Sequence, residues 1–193
     1  AERIRAPIAT TLPGIGSVPT AHDRGLGLMG QSGLFAANKA AASADLIIVL
    51  GTRLGDRATG IQARFDKEAK IIHIDIDPAE IGKTHMAFIS IVGDLGITLR
   101  QLLASDIDRN DTVGWESEWQ EWKNHSDETG AKADSGLDPK DIFSCLSQKA
   151  DDNVLLTTDV GQNQIWAGRY FRTKSAGAFI TSAGLGTMGF SIP

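Results

Sequence analysis

The sequence predicts an α/β fold, a parallel sheet flanked by helices, that begins a second time near residue 139. Three observations predict it. Short apolar runs alternate with stretches of helical period. The clearest apolar runs close on a polar or glycine-bearing turn, such as Gly51-Thr52 or Gly93-Asp94. A polar, tryptophan-bearing segment then separates that pattern from a fresh strand–helix–strand series.

The elements follow in order. Ile8 to Thr11 reads as a short strand, stopped by Pro13 and Gly14. Gln31 to Ala44 is alanine-rich and reads as a helix. Asp45 to Leu50 (DLIIVL) is a near-continuous apolar run, as expected of a strand buried on both faces. Lys70 to Asp77 (KIIHIDID) is a second such strand, ended by Pro78, and Ala87 to Val92 a third. Leu95 to Leu103 reads as a helix. From about Ser105 to Leu137 the chain is polar and carries Trp115, Trp119 and Trp122, whose spacing sets them on one face of a helix that clamps this linker onto a domain. Asp138-Pro139 reads as an N-cap with proline at the first helical position, and Ile142, Phe143 and Leu146 as that helix's apolar face. Asn153 to Asp159 is a strand, Gln164 to Phe171 a helix, and Ala178 to Ser182 a strand. The expected organisation is residues 1–106, a linker over 107–138, and a second domain from 139 that is truncated at 193. Both ends read as cut, so this is expected to be an interior fragment.

Composition excludes several classes. With 41% apolar residues and a net charge of -5, the chain is an ordinary acidic globular sequence. No basic surplus points to nucleic acid, and no apolar run is long enough to span a bilayer. A lone cysteine, Cys145, cannot form an internal disulfide and reads as a small buried hydrophobe.

Two glycine patterns match the spacing of a dinucleotide fingerprint. Gly25-Leu26-Gly27-Leu28-Met29-Gly30 is preceded by a polar loop rather than a strand, so it fails the context that a Rossmann turn requires. Gly184-Leu185-Gly186-Thr187-Met188-Gly189 follows a strand but stands alone as a motif. The turn Gly51-Thr52-Arg53-Leu54-Gly55-Asp56-Arg57 carries more. It leaves a buried strand, its glycine permits close backbone approach, and its arginines offer forks suited to phosphate oxygens. A solvated loop with incidental arginines is the plainer alternative. His73, Asp75 and Asp77 alternate along one strand. A metal site lacks further ligands nearby, whereas an acid at the carboxyl end of a parallel strand suits ribose hydroxyls, and Asp94 offers a second acceptor. No Ser/His/Asp set, zinc spacing or Walker loop is visible.

Taken together, these segments resemble the acetolactate (acetohydroxyacid) synthase large subunit family, which uses thiamine diphosphate. The resemblance runs through Ala36-Ala37-Asn38, DLIIVLGTRLGDR (45–57) with Thr59-Gly60, KIIHIDIDPAEIGK (70–83), TDVGQNQIW (158–166) and FITSAGLGTMGFSIP (179–193), in the family's order. It implies a Rossmann-like, DHS-type central domain holding FAD, followed by the first βα units of a thiamine-diphosphate-binding domain. Gly51, Thr52, Arg53 and Arg57 would then lie along the flavin nucleotide, with Asp75 facing the ribose and Asp94 nearby. Val160, Gly161, Gln162 and Asn163 fall where the family contacts the diphosphate, and Gly186, Thr187 and Met188 where it holds the aminopyrimidine. Three departures stand out. The family's GMHG reads Gly30-Gln31-Ser32-Gly33, the acid before Asp56 is Gly55, and a phosphate-side histidine is Asn163. The first two leave flavin, no flavin or another nucleotide as alternatives for the central crevice.

The implied reaction decarboxylates pyruvate and adds the two-carbon unit to a second 2-oxo acid. The activating glutamate is expected in a domain before residue 1, and the Mg2+ ligands after Pro193, so no catalytic or metal-binding residue is assigned within 1–193. The fragment alone is expected to be inactive. A homodimer or tetramer, a regulatory small subunit and a cytoplasmic location are implied by the resemblance only. A sister enzyme of the glyoxylate carboligase or sulfoacetaldehyde acetyltransferase type is the nearest alternative. A non-catalytic nucleotide-binding module is the alternative from another class.

Overall fold

The computed structural model describes residues 1–60, 65, 68–106, 113–128 and 136–192. It is an α/β structure in which every paired strand is parallel. Strands β1 (Ile8–Thr10) and β2 (Gly25–Leu28) form one pair. Strands β3 (Leu46–Leu50), β4 (Lys70–Asp75) and β5 (Ile89–Val92) form a second sheet in that order. Strands β6 (Leu156–Thr158) and β7 (Phe179–Thr181) form a third. The helices are α1 (Phe35–Ser43), α2 (Asp56–Thr59), α3 (Leu95–Ala104), α4 (Val113–Glu128), α5 (Pro139–Lys149) and α6 (Gln162–Tyr170).

Strand β2 is the main departure from the sequence reading, which placed no strand at the first glycine run. Leu26 and Leu28, two apart, would share a face in a regular strand, but Gly27 at φ 76° breaks the alternation and the two leucines enter different cores. Leu26 enters a core with Ala36, Ala37, Ala40 and Trp119. Leu28 enters another with Ile15, Ala167 and Phe179. A Cβ on Gly27 would lie 2.8 Å from Leu34 Cδ1, and its φ of 76° also favours glycine. Local propensity disfavours such a strand; packing on both sides forms it.

Helix α4 closes the first core, as its tryptophan face predicts. Trp119 is 1% exposed against the alanines of α1, with Trp115 and Trp122 packed alongside. Arg24 Nη2 meets Glu116 Oε1 at 2.8 Å, both side chains mostly buried. Lys123 Nζ donates to the Asp23 carbonyl at 2.7 Å, holding α4 to the loop before β2.

The second core joins the N-terminal segment to the later βα unit. Gly168 on α6 admits Ile15, whose Cδ1 would lie 2.7 Å from an added Cβ. Thr20 and Thr173, both buried, exchange backbone-to-hydroxyl bonds of 3.1 and 2.7 Å. The Gly177 amide donates to the Gly16 carbonyl at 2.6 Å.

Two burial expectations are corrected. Strand β3 is covered on one face only among the described residues. Val49 is buried with Ile71 and Leu54, whereas Leu46, Ile48 and Leu50 remain 37–45% exposed. Helix α5 begins as predicted, with Asp138 Oδ1 accepting from the Lys140 amide and Pro139 at the first position. Its inner face, however, is Phe143 and Ser147, four residues apart. Ile142, Cys145 and Leu146 lie on the exposed side.

Candidate cofactor sites

Two sets of residues converge at carboxyl ends of parallel strands, where open α/β sheets bind ligands. The first lies along β3, β4 and β5. The Gly51 amide donates to the Ile74 carbonyl at 2.9 Å, and the Gly93 amide to the Asp75 carbonyl at 3.0 Å. Those bonds tie the three strand exits, and with them Gly51, Asp75 and Asp94, into one row. Gly51 has φ 58°, and Leu54 is one of two non-glycine residues at positive φ among those described. The turn is therefore a sharp, fixed bend.

His73 fixes it from below. Its side chain is 1% exposed on β4, and Nε2 lies 3.1 Å from the Thr52 carbonyl. A carbonyl only accepts, so Nε2 carries the proton, and Nδ1 is buried without a hydrogen-bond partner among the described residues. The sequence raised His73 only as a metal ligand. Among the described residues no group of three or more His, Cys, Asp or Glu side chains is placed to hold a metal.

The acids have local work as well. Asp75 Oδ1 accepts from the Asp77 amide at 3.0 Å, and Asp94 Oδ1 caps α3 by accepting from Ile97 at 2.8 Å. Arg53 is 81% exposed, with Nε 3.9 Å from Glu80 Oε1, so its fork is largely free toward solvent. Arg57 is exposed on α2. Behind it, the Gln31 amide donates to the Arg57 carbonyl at 2.9 Å, seating the 30–33 loop on α2. Asn38 locks that loop with reciprocal bonds to Gly30, 2.8 and 2.9 Å. Sequence reasoning gave Asn38 no role. Its place in the Ala36-Ala37-Asn38 segment, soon after a Gly-Gln-Ser-Gly loop, was the available signal.

The second set follows β6 and β7. Gly161, at φ 132°, turns the chain from β6 into α6 and stands at that helix's N-cap. Val160 is partly buried, while Gln162 and Asn163 are exposed on the first turn. Free backbone amides and the helix dipole make such a start favourable to anions. After β7, the Gly186 amide donates to the Ser182 carbonyl at 3.1 Å, and the Thr187 amide to Ser182 Oγ at 3.0 Å. The run then folds back: the Ser191 amide donates to Asp159 Oδ1 at 3.0 Å, and Thr157 Oγ1 to the Ser191 carbonyl at 3.3 Å. So the 160–163 turn and the 184–189 run share one end of the β6–β7 pair. Met188 is 80% exposed there. Gln164, buried, donates to Thr181 Oγ1 at 2.6 Å and Thr158 to the same oxygen at 2.7 Å, locking α6 to both strands. Asp159, Gln164 and Thr181 are structural supports that the motif reading did not single out.

Comparison with known proteins identifies the family. Residues 1–102 match the family model described as thiamine pyrophosphate enzyme, central domain, which covers more than half of the chain. The chain belongs to the thiamine pyrophosphate enzyme family. Residues 159–193 match a second family model, thiamine pyrophosphate enzyme, C-terminal TPP binding domain. Among relatives, a probable acetolactate synthase large subunit of Methanocaldococcus jannaschii is 44% identical over all of this chain and 34% of its own length. The acetolactate synthase large subunit of Parasynechococcus marenigrum is 37% identical over all of this chain and 31% of its own length. That of Lactococcus lactis is 37% identical over all of this chain and 33% of its own length. The chain thus spans about a third of the length of these relatives. No helix among the described residues of this family member is long and apolar enough to cross a membrane.

Proposed function

We propose that this chain is the central and early C-terminal part of an acetolactate synthase large subunit, a thiamine-diphosphate enzyme that decarboxylates pyruvate and transfers the two-carbon unit to a second 2-oxo acid. The observation that carries the reading is the meeting of the 160–163 turn with the 184–189 run beside one strand pair. That arrangement fits thiamine diphosphate (thiamine pyrophosphate). Gly161, at φ 132°, opens the helix start to an anion, and Asp159 Oδ1 nearby accepts from the Ser191 amide. Val160, Gly161, Gln162 and Asn163 bind the diphosphate. Gly186 and Thr187 receive the aminopyrimidine, and exposed Met188 supports the ring from its apolar side. When bound, the cofactor supplies the electron sink for decarboxylation. Mg2+ belongs with the diphosphate, held by residues outside 1–193.

Gly51, Thr52, Arg53 and Arg57 line a nucleotide crevice with Asp75 and Asp94, and FAD is its proposed occupant. The free fork of Arg53 and the fixed turn support that fit. The three-part division at 106 and 138, a homodimer or tetramer, a regulatory small subunit and a cytoplasmic setting belong to the same proposal.

The test is acetolactate formation from pyruvate by the full-length protein that contains this chain, with thiamine diphosphate and Mg2+, with and without FAD. FAD-dependent product supports the whole reading. Product without FAD keeps the reaction and removes flavin from the crevice. Thiamine diphosphate binding without acetolactate moves the reading to a sister enzyme acting on glyoxylate or sulfoacetaldehyde.

A further inference from the structure

The two segments proposed to hold thiamine diphosphate leave the fold beside one another. Strand β6 ends at Thr158, just before Asp159 and the 160–163 turn. Helix α6 carries Gln164 directly after that turn. Strand β7 ends at Thr181, directly before Ser182 and the 184–189 run.

These three residues meet at one oxygen. Gln164 Nε2 donates to Thr181 Oγ1 at 2.6 Å, and Thr158 Oγ1 donates to the same atom at 2.7 Å. A hydroxyl oxygen has two lone pairs, so Thr181 accepts both donors at once. Thr158 and Gln164 are buried, where water competes little for such bonds. Thr158 and Thr181 are register partners, so the ladder already sets them side by side. The ladder joins strand to strand, and the Gln164 side chain carries that connection to the helix start. On the other side, Ser182 carries it onward. Its carbonyl accepts from the Gly186 amide at 3.1 Å, and its Oγ from the Thr187 amide at 3.0 Å.

We propose that Thr181 is a positioning residue whose hydroxyl sets the spacing between the diphosphate subsite at 160–163 and the aminopyrimidine subsite at 186–188. The inference rests on the thiamine-diphosphate reading of those two segments. A ligand held at both ends gains affinity over its separate halves only while the subsites keep the separation it spans. A ligand that fills one subsite is indifferent to that separation. Loss of the Thr181 hydroxyl should therefore weaken the whole cofactor and spare its diphosphate half.

The test uses the full-length protein freed of cofactor, with Mg2+ present. Calorimetry gives the Kd of thiamine diphosphate, and competition against it gives the Kd of inorganic pyrophosphate. Thr181→Val keeps the side-chain shape and removes the hydroxyl. It should raise the Kd of thiamine diphosphate by about tenfold or more and that of pyrophosphate by less than about threefold. Thr181→Ser returns the hydroxyl and should restore most of the cofactor affinity. Gln164→Met leaves the Thr158–Thr181 bond in place, and it should show the same selective loss even if Thr181→Val folds poorly. Unchanged cofactor affinity in these variants, an equal loss for pyrophosphate, or a serine variant that recovers nothing overturns the proposal while the cofactor reading stands. Wild-type protein that binds no thiamine diphosphate, or in which pyrophosphate does not compete for it, overturns the cofactor reading and this inference with it.

Discussion

His73 shows how one side chain can decide the shape of a site without touching a ligand. It is buried on β4, and its Nε2–H holds the Thr52 carbonyl in the bend that presents Gly51 and Arg53. Replacing it by phenylalanine keeps an aromatic of similar outline but strands that carbonyl. The expected cost is about 1–3 kcal/mol in denaturant unfolding. His73→Gln can return a donor near the same place and should recover much of the loss. Equal stability of the two variants would count against the clamp. Asn38 makes a comparable local decision, since its amide satisfies both the amide and the carbonyl of Gly30.

Among elements, β3 and α4 show the two ways an apolar pattern can be used. The run Leu46–Leu50 suits a strand covered on both sides, yet only the Val49 face is sealed by Ile71 and Leu54. Val49→Ala should therefore cost about 2 kcal/mol, whereas Ile48→Thr on the exposed face should cost under about 1 kcal/mol. Comparable losses in the two variants would mean that the open face is covered in solution. Helix α4 has a low overall apolar content but concentrates its indoles on one side. Spacing made that face legible, because residues three and four apart must meet the same neighbour.

At the scale of the molecule, residues 12–20 bridge two parts that the motif pattern separates. Ile15 packs with Leu28, Ala167 and Phe179, and Thr20 bonds Thr173. Trp119 reports the first core, while Trp166 sits on α6. Variants retaining only one of these among the four tryptophans should unfold at the same denaturant midpoint, as two cores joined through β2 and residues 12–20 require. Separate midpoints would show that the strand pair β6–β7 and α6 fold on their own.

The sequence by itself determined the α/β class, most strands, the cap at Asp138-Pro139 and the positions of the glycine-bearing turns at the strand ends. These depend on interactions between near neighbours in the chain: apolar runs, glycine turns and helix caps. Tertiary structure alone decided that Gly25–Leu28 is a strand, that Cys145 faces outward, and that β3 has one open face among the described residues. It also decided which buried polar groups support the turns. In each case the deciding contact comes from residues far along the chain, so burial and hydrogen bonding there follow from packing, which local pattern does not encode.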